Sequence, residues 1–176
     1  MSADALPPIL IVPDARLRQK ARPVTAADAN AVRALAPRML ASMYAAPGIG
    51  LAAPQVGELL RLVVIDLGKD EESRAPMVLL NPEILAASAE TAIREEGCLS
   101  IPGQYADVER PARIKARWQE LDGTRREMEA DGLLATCIQH EVDHLDGVLF
   151  VDHISALKRN MLLRKLAKEQ KAKARD

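Results

Sequence analysis

Apolar positions along the chain follow two different periods. From Thr25 to Ala46, "TAADANAVRALAPRMLASMYAA" repeats them every three to four residues, which predicts an amphipathic helix. Thr25 or Asp28 offers its start signal, Pro37 is an expected interruption, and Pro47-Gly48 ends it. "GIGLAAPQVG" then reads as a glycine-rich loop. "LLRLVVIDL" (Leu59 to Leu67) and "MVLLNPEIL" (Met77 to Leu85) are aliphatic runs of strand length. "YADVERPARIKARWQELDG" alternates, which predicts one long strand ending in a turn at Asp122-Gly123, with "RREMEADG" as its hairpin partner. Helical spacing returns from Gly132 to about Asp146; a short "VLFV" segment follows, and a last helix starts at Ile154. Strands gathered ahead of the closing helices argue for an α+β fold. The expected architecture is antiparallel or mixed sheets around the Gly132–Asp146 helix, with one helix N-terminal and one C-terminal to them. With no repeat or low-complexity linker, residues 1–176 read as a single domain.

Composition narrows the class. A hydrophobic fraction of 48% and a charged fraction of 28% suit an ordinary globular chain long enough to bury a core. Aromatics are only 2%, so the core rests on aliphatic residues and base-stacking nucleic-acid modules are disfavoured. No apolar run reaches the roughly 18 residues of a membrane span. The start, "MSADALPPILIVPDARLRQKARP", lacks the basic n-region and apolar core of a signal peptide, and Asp4 argues against a transit peptide. A cytoplasmic monomer is expected. There Cys98 and Cys137 serve better as a ligand or a buried thiol than as a disulfide. Charge is uneven: residues 158–176 hold eight Lys or Arg against Glu169 and Asp176, leaving 16 basic and 23 acidic residues before them.

The chemistry concentrates in "CIQHEVDHLDG". His140, Glu141 and His144 form H-E-x-x-H, and on a helix the two histidines lie about 40° apart around the axis and roughly 6 Å along it. Both can reach one ion, with Glu141 beside them. The same pattern also arises by chance on surface helices, so the third ligand decides. The metzincin extension would need a histidine where this chain has Phe150, and Gly147 is better explained as the left-handed residue that ends the helix. His153 lies too far along and reads as a surface residue. Glu169 sits among lysines, where an intrahelical ion pair is expected. Cys137 is about 10.5 Å along the axis from His144 and packs beside the site rather than in it. Cys98, in "REEGCLSIPG" ahead of a Pro-Gly turn, comes from a separate segment and can complete a Cys-His-His set. That set leaves a fourth tetrahedral position open, the catalytic pattern.

Together "GIGLAAPQVG", "EGCLS" and "QHEVDHLDG" resemble the three signature motifs of peptide deformylases, in order, and the resemblance runs from about Val12 to beyond Ile154. The C-terminal helix is similar to that of the type common in Gram-negative bacteria. The resemblance implies hydrolytic removal of the formyl group from nascent polypeptides that begin with formylmethionine, releasing formate. It implies Fe(II) at Cys98, His140 and His144, with Zn, Ni or Co acceptable to the same donors. Glu141 would be the general base; the Leu99 N–H and the Gln55 amide would stabilise the oxyanion. Ile49 and Gly50 would meet the substrate, and Leu133 and Cys137 would line the methionine pocket, although ordinary core packing explains that pair nearly as well. Glu96 would support the site through a hydrogen bond. Tyr105 occupies a position that varies among family members. The basic helix from Ile154 would dock on the domain through Ile154, Leu157 and Met161 and meet the ribosome near the tunnel exit. Its bland alternative is a solvated helix end. Two other readings remain: another H-E-x-x-H hydrolase such as a peptidase, and a catalytically silent ribosome-associated protein.

Overall fold

The structure, a computed structural model, describes residues 5–176; Asp4, used in the argument about the leader, lies outside them. Helix α1 spans Ala29–Ala45 after a single 3-10 turn in which Asp28 accepts from the Thr25 N–H. Pro37 does not interrupt it. Seven strands follow the order β1 Gly50–Ala52, β2 Leu62–Ile65, β3 Met77–Ala87, β4 Thr91–Cys98, β5 Ile101–Pro111, β6 Arg113–Gln119 and β7 Arg125–Asp131. Helix α2 is Gly132–Leu145 and helix α3 is Ala156–Ala174. The strands form a five-stranded sheet, β1-β2-β3-β6-β7, and a separate β4-β5 hairpin, with every named pairing antiparallel. The fold is α+β, as expected.

Two strand expectations need correction. The alternating stretch from Tyr105 to Gly123 is two strands in different sheets. Pro111 has no N–H to continue a ladder, and the Ala112 N–H turns to the Glu90 carbonyl, so the chain crosses to the larger sheet there. Pro102-Gly103 is no turn. The hairpin turns at Leu99-Ser100, because Cys98 pairs with Ile101 while Gly97 pairs with Tyr105. Residues 102–104 are therefore extra on β5, a bulge with Gly103 at φ 75°. The β6–β7 hairpin is as expected, with Gly123 left-handed at its turn.

Helix α2 is the hub. Ala135, Ile138 and Leu145 pack with Val63, Ile65, Leu79 and Trp118 of the large sheet. Gly147, at φ 74°, ends the helix as anticipated, and a Cβ there would meet the Arg18 carbonyl at 2.5 Å. The "VLFV" segment becomes a 3-10 turn, Phe150–His153. With Leu149, it packs on Ile101 and Val108 of β5 and on Leu166 of α3. Helix α3 begins at Ala156, capped by the Ser155 hydroxyl, and its docking face differs from the expected one. Leu162, Leu166 and Ile154 pack inward, whereas Leu157 and Met161 are 71% and 62% exposed. The 3.6-residue period permits either stripe, and only the position of β5 selects between them.

Candidate metal centre

His140 and His144 sit one turn apart on α2, their ring centroids 5.0 Å apart. Cys98, at the end of β4, brings its Sγ to 3.3 Å from His144 Nε2. Donor atoms of these three residues all lie within 4.8 Å of one another. Both imidazoles are buried, and His140 is held in place twice over. Its Nδ1 donates to Glu96 Oε1 at 2.9 Å, and its ring stacks on Phe150 at 6.2 Å. That bond leaves the Nε2 lone pair free to face the other donors. Burial alone would lower the His140 pKa, but hydrogen bonds to Cys98 and Glu96 raise it well above the ordinary value. His144, pressed by burial and by the neighbouring His140, goes the other way. A soft sulfur and two imidazoles converge on one point, and this donor set fits a divalent transition metal. Cys137 does not join it. Both cysteines are free, and the Cys137 thiol is pushed up by burial and by nearby Glu141 and Glu96.

Residues 6–160 match the family model described as polypeptide deformylase. The chain belongs to that family. It is 57% identical over 167 residues to a peptide deformylase of Mesorhizobium japonicum, covering 95% of this chain and 94% of the relative. A Brucella suis peptide deformylase is 54% identical over 161 residues, covering 92% and 91%. Among solved structures, a Legionella pneumophila peptide deformylase superposes with a TM-score of 0.90 at 44% identity, covering 98% of this chain and 99% of that one. A Synechococcus elongatus peptide deformylase in complex with actinonin gives 0.86 at 46%, covering 92% and 89%. The chain is thus an enzyme of the deformylase type.

Cys98 and His140 line a cavity of about 580 Å³ between the β1 loop and the β4-β5 hairpin. Ile49, Gly50, Gln55, Leu99, Leu133, Cys137 and Glu141 all line it. Ile49 and Leu133 stand at its exposed rim, and Tyr105 is a third exposed rim residue whose ring lies over Gly97. Gly50 admits its neighbours closely: a Cβ there would lie 3.0 Å from both Cys137 Sγ and Glu141 Cδ. Gln55 is buried in a 3-10 turn, Ala53–Val56. Its Oε1 accepts from the Ala52 N–H at 2.9 Å, and its amide donates to Ser100 Oγ at 3.0 Å and to Cys98 Sγ at 3.5 Å. Glu141 Oε1 lies 3.7 Å from His140 Nε2, and its Oε2 is buried without a partner among the described residues. Burial raises this carboxyl to about 7. For Glu96, burial acts in the same direction but loses. Hydrogen bonds from His140 and Arg110 hold it at about 2.

Sequence reasoning missed Arg110 and Asp143. Arg110 is buried, donates through Nε and Nη2 to Glu96, and through Nη1 to Asp143. It shares the inward face of β5 with Val108. A lone cation at an apolar-face position was the signal available in the alternation. Asp143 also accepts from His153 Nε2 at 2.8 Å. Among the described residues Glu169 makes no intrahelical ion pair; it accepts from the Gln104 amide at 3.0 Å across the interface between α3 and β5.

Proposed function

We propose that this enzyme hydrolyses the terminal formamide of nascent chains that begin with formylmethionine, releasing formate and a free α-amine. The observation that carries the reading is the convergence of Cys98, His140 and His144 beside buried Glu141, with Cys98, His140 and Glu141 lining the cavity. A divalent ion held by those three residues, Fe(II) by family resemblance, would polarise the formyl oxygen and acidify a water. Glu141 takes the proton of that water at Oε2. A pKa near 7 suits it both to accept the proton and to deliver it to the departing amine. Gln55 is a preorganised oxyanion donor, because its own oxygen is already tied to Ala52 and its amide is aimed toward Cys98. The Leu99 N–H is the second donor, drawn from the tight turn after the thiolate. Ile49, Leu133 and uncharged Cys137 make an apolar wall for the methionine side chain.

Substrate enters as an extended strand. Among the described residues, β1 pairs only with β2 and β4 only with β5, and both contribute to the cavity wall. The whole chain acts as one catalytic unit in the cytoplasm. No helix of the described residues is long and apolar enough to cross a membrane. Helix α3 is the ribosome contact in this reading, supported by exposed Leu157 and Met161 on a helix that continues into Lys165, Lys168, Lys171, Lys173 and Arg175.

The test is anaerobically purified protein, its metal measured, assayed for formate release from a formyl-Met tripeptide. N-acetyl and internally bonded analogues run in parallel. Rapid turnover of the formyl peptide alone is expected, with activity of the iron form lost in air faster than that of the nickel or cobalt form. Cleavage of the internal bonds instead would favour a peptidase.

A further inference from the structure

Two separately built pieces of the fold must meet for the donor triad to exist. Cys98 ends β4, in the hairpin, whereas His140 and His144 ride on α2, which packs against the large sheet. No β-ladder joins the two sheets among the described residues. Ladder pairing therefore does not set the distance from thiol to imidazoles, and side-chain contacts between the two pieces contribute to it.

His140 bonds Glu96, and Gln139 on α2 donates to the Pro111 carbonyl of β5 at 3.1 Å, but a third side chain holds both pieces through a buried fork. Arg110, on β5, donates to Glu96 Oε2 at 2.7 Å and to Oε1 at 3.0 Å, and to Asp143 Oδ2 at 2.9 Å. Glu96 lies two residues before Cys98 and also accepts from His140; Asp143 immediately precedes His144. A single planar fork thus ties the strand approaching the thiol to the turn of helix carrying both imidazoles. Arg110 and Glu96 are each about 6% exposed, so water does not substitute for these bonds. A lysine ammonium is a point donor on a flexible stem and lacks the fork that grips both carboxylates at once. His153 also holds Asp143, but from the surface side and without touching Glu96.

We infer that Arg110 is a positioning residue that sets the spacing of Cys98 against His140 and His144, and with it the affinity and coordination geometry of the metal centre. The inference rests on the triad being that centre.

Cobalt(II) is the probe, because its visible absorption reports coordination geometry and a competing chelator reports affinity. Arg110→Met should raise the Co(II) dissociation constant at least ~10-fold, the lower end for residues that support ligands. It should also change the shape of the Co(II) band. Arg110→Lys should recover part of the affinity. Asp143→Asn should weaken Co(II) binding in the wild-type background but add little to Arg110→Met, since the arm it breaks is already gone. Circular dichroism and thermal melting of the metal-free proteins separate general unfolding from this effect. If Arg110→Met does not fold, Arg110→Lys and Asp143→Asn carry the test. Folded variants with the wild-type dissociation constant and band would overturn the inference. Wild-type protein that binds no cobalt would instead overturn the reading of the triad.

Discussion

Gly50→Ala is the sharpest probe of how the site is packed. Gly50 is not among the left-handed glycines, so alanine meets no backbone strain there. Its methyl would lie 3.0 Å from Cys137 Sγ and from Glu141 Cγ and Cδ, both of them buried residues. Ordinary contact begins near 3.4 Å, so each must yield by a few tenths of an ångström. Overpacking of this kind costs about 1–3 kcal/mol. For a chain of this size that is a drop of roughly 2–12 °C in melting temperature. The larger effect falls on turnover, because the displaced group is the proposed base. A misplacement of ~1 Å can cost ~10² in rate, and a shift of a few tenths should cost roughly 10-fold in kcat. Melting curves and steady-state kinetics on a formyl-Met tripeptide read the two effects. Adding Cys137→Ala frees space on one side and should restore more stability than independent effects would allow. A Gly50→Ala enzyme with wild-type melting temperature and kcat would refute the packing argument.

Three further outcomes are expected. Cys98→Ser, His140→Ala and His144→Ala should each lose tightly bound metal, while Cys137→Ser and Glu141→Ala keep it; Glu141→Ala should lose at least ~10² in rate, and metal analysis with turnover checks both. Glu96, held at about 2 against an ordinary 4.5, links on the order of 3 kcal/mol to folding at neutral pH. That stability is present above pH 4.5 and is lost as pH falls toward 2, so urea unfolding of metal-free Glu96→Gln should be weaker at pH 7 and flatter across that window. Replacing Lys165, Lys168, Lys171, Lys173 and Arg175 with Gln should leave short-peptide turnover intact and weaken ribosome co-sedimentation at low salt, whereas equal co-sedimentation would make the tail a solvated helix end. Charge replacement is a cleaner test than truncation after Leu166, which also removes Glu169 and its bond to Gln104 in the cavity wall.

What could be read from the chain follows the range of the interactions involved. Helix α2 was legible because spacing, the H-E-x-x-H pattern and a terminal glycine are all local. The β6–β7 hairpin was legible for the same reason, its turn residues lying between its strands. Strand β4 was not, since "TAIREEGC" carries three charges and has an exposed face, so no clean alternation marks it. The break at Pro111 was hidden because both halves alternate, and only the change of sheet separates them. The exposed stripe on α3 was misread because two helical faces are both partly apolar, and the choice between them depends on β5. Arg110 and Asp143 escaped because their meaning lies in partners 14 and 33 residues from Arg110.

The acids beside His140 make the same point about function. Glu96 and Glu141 are both buried, both close to that imidazole, and indistinguishable by residue type. Their environments drive them apart. Glu96 has its oxygens filled by Arg110 and His140 and stays ionised through any working pH. Glu141 has one oxygen without a partner among the described residues and a pKa near 7. A proton shuttle must gain and lose its proton within one turnover, and only a carboxyl near ambient pH does both readily. Glu96 is therefore suited to fix an imidazole and Glu141 to carry a proton. Exchanging their surroundings, rather than the residues, would exchange those roles.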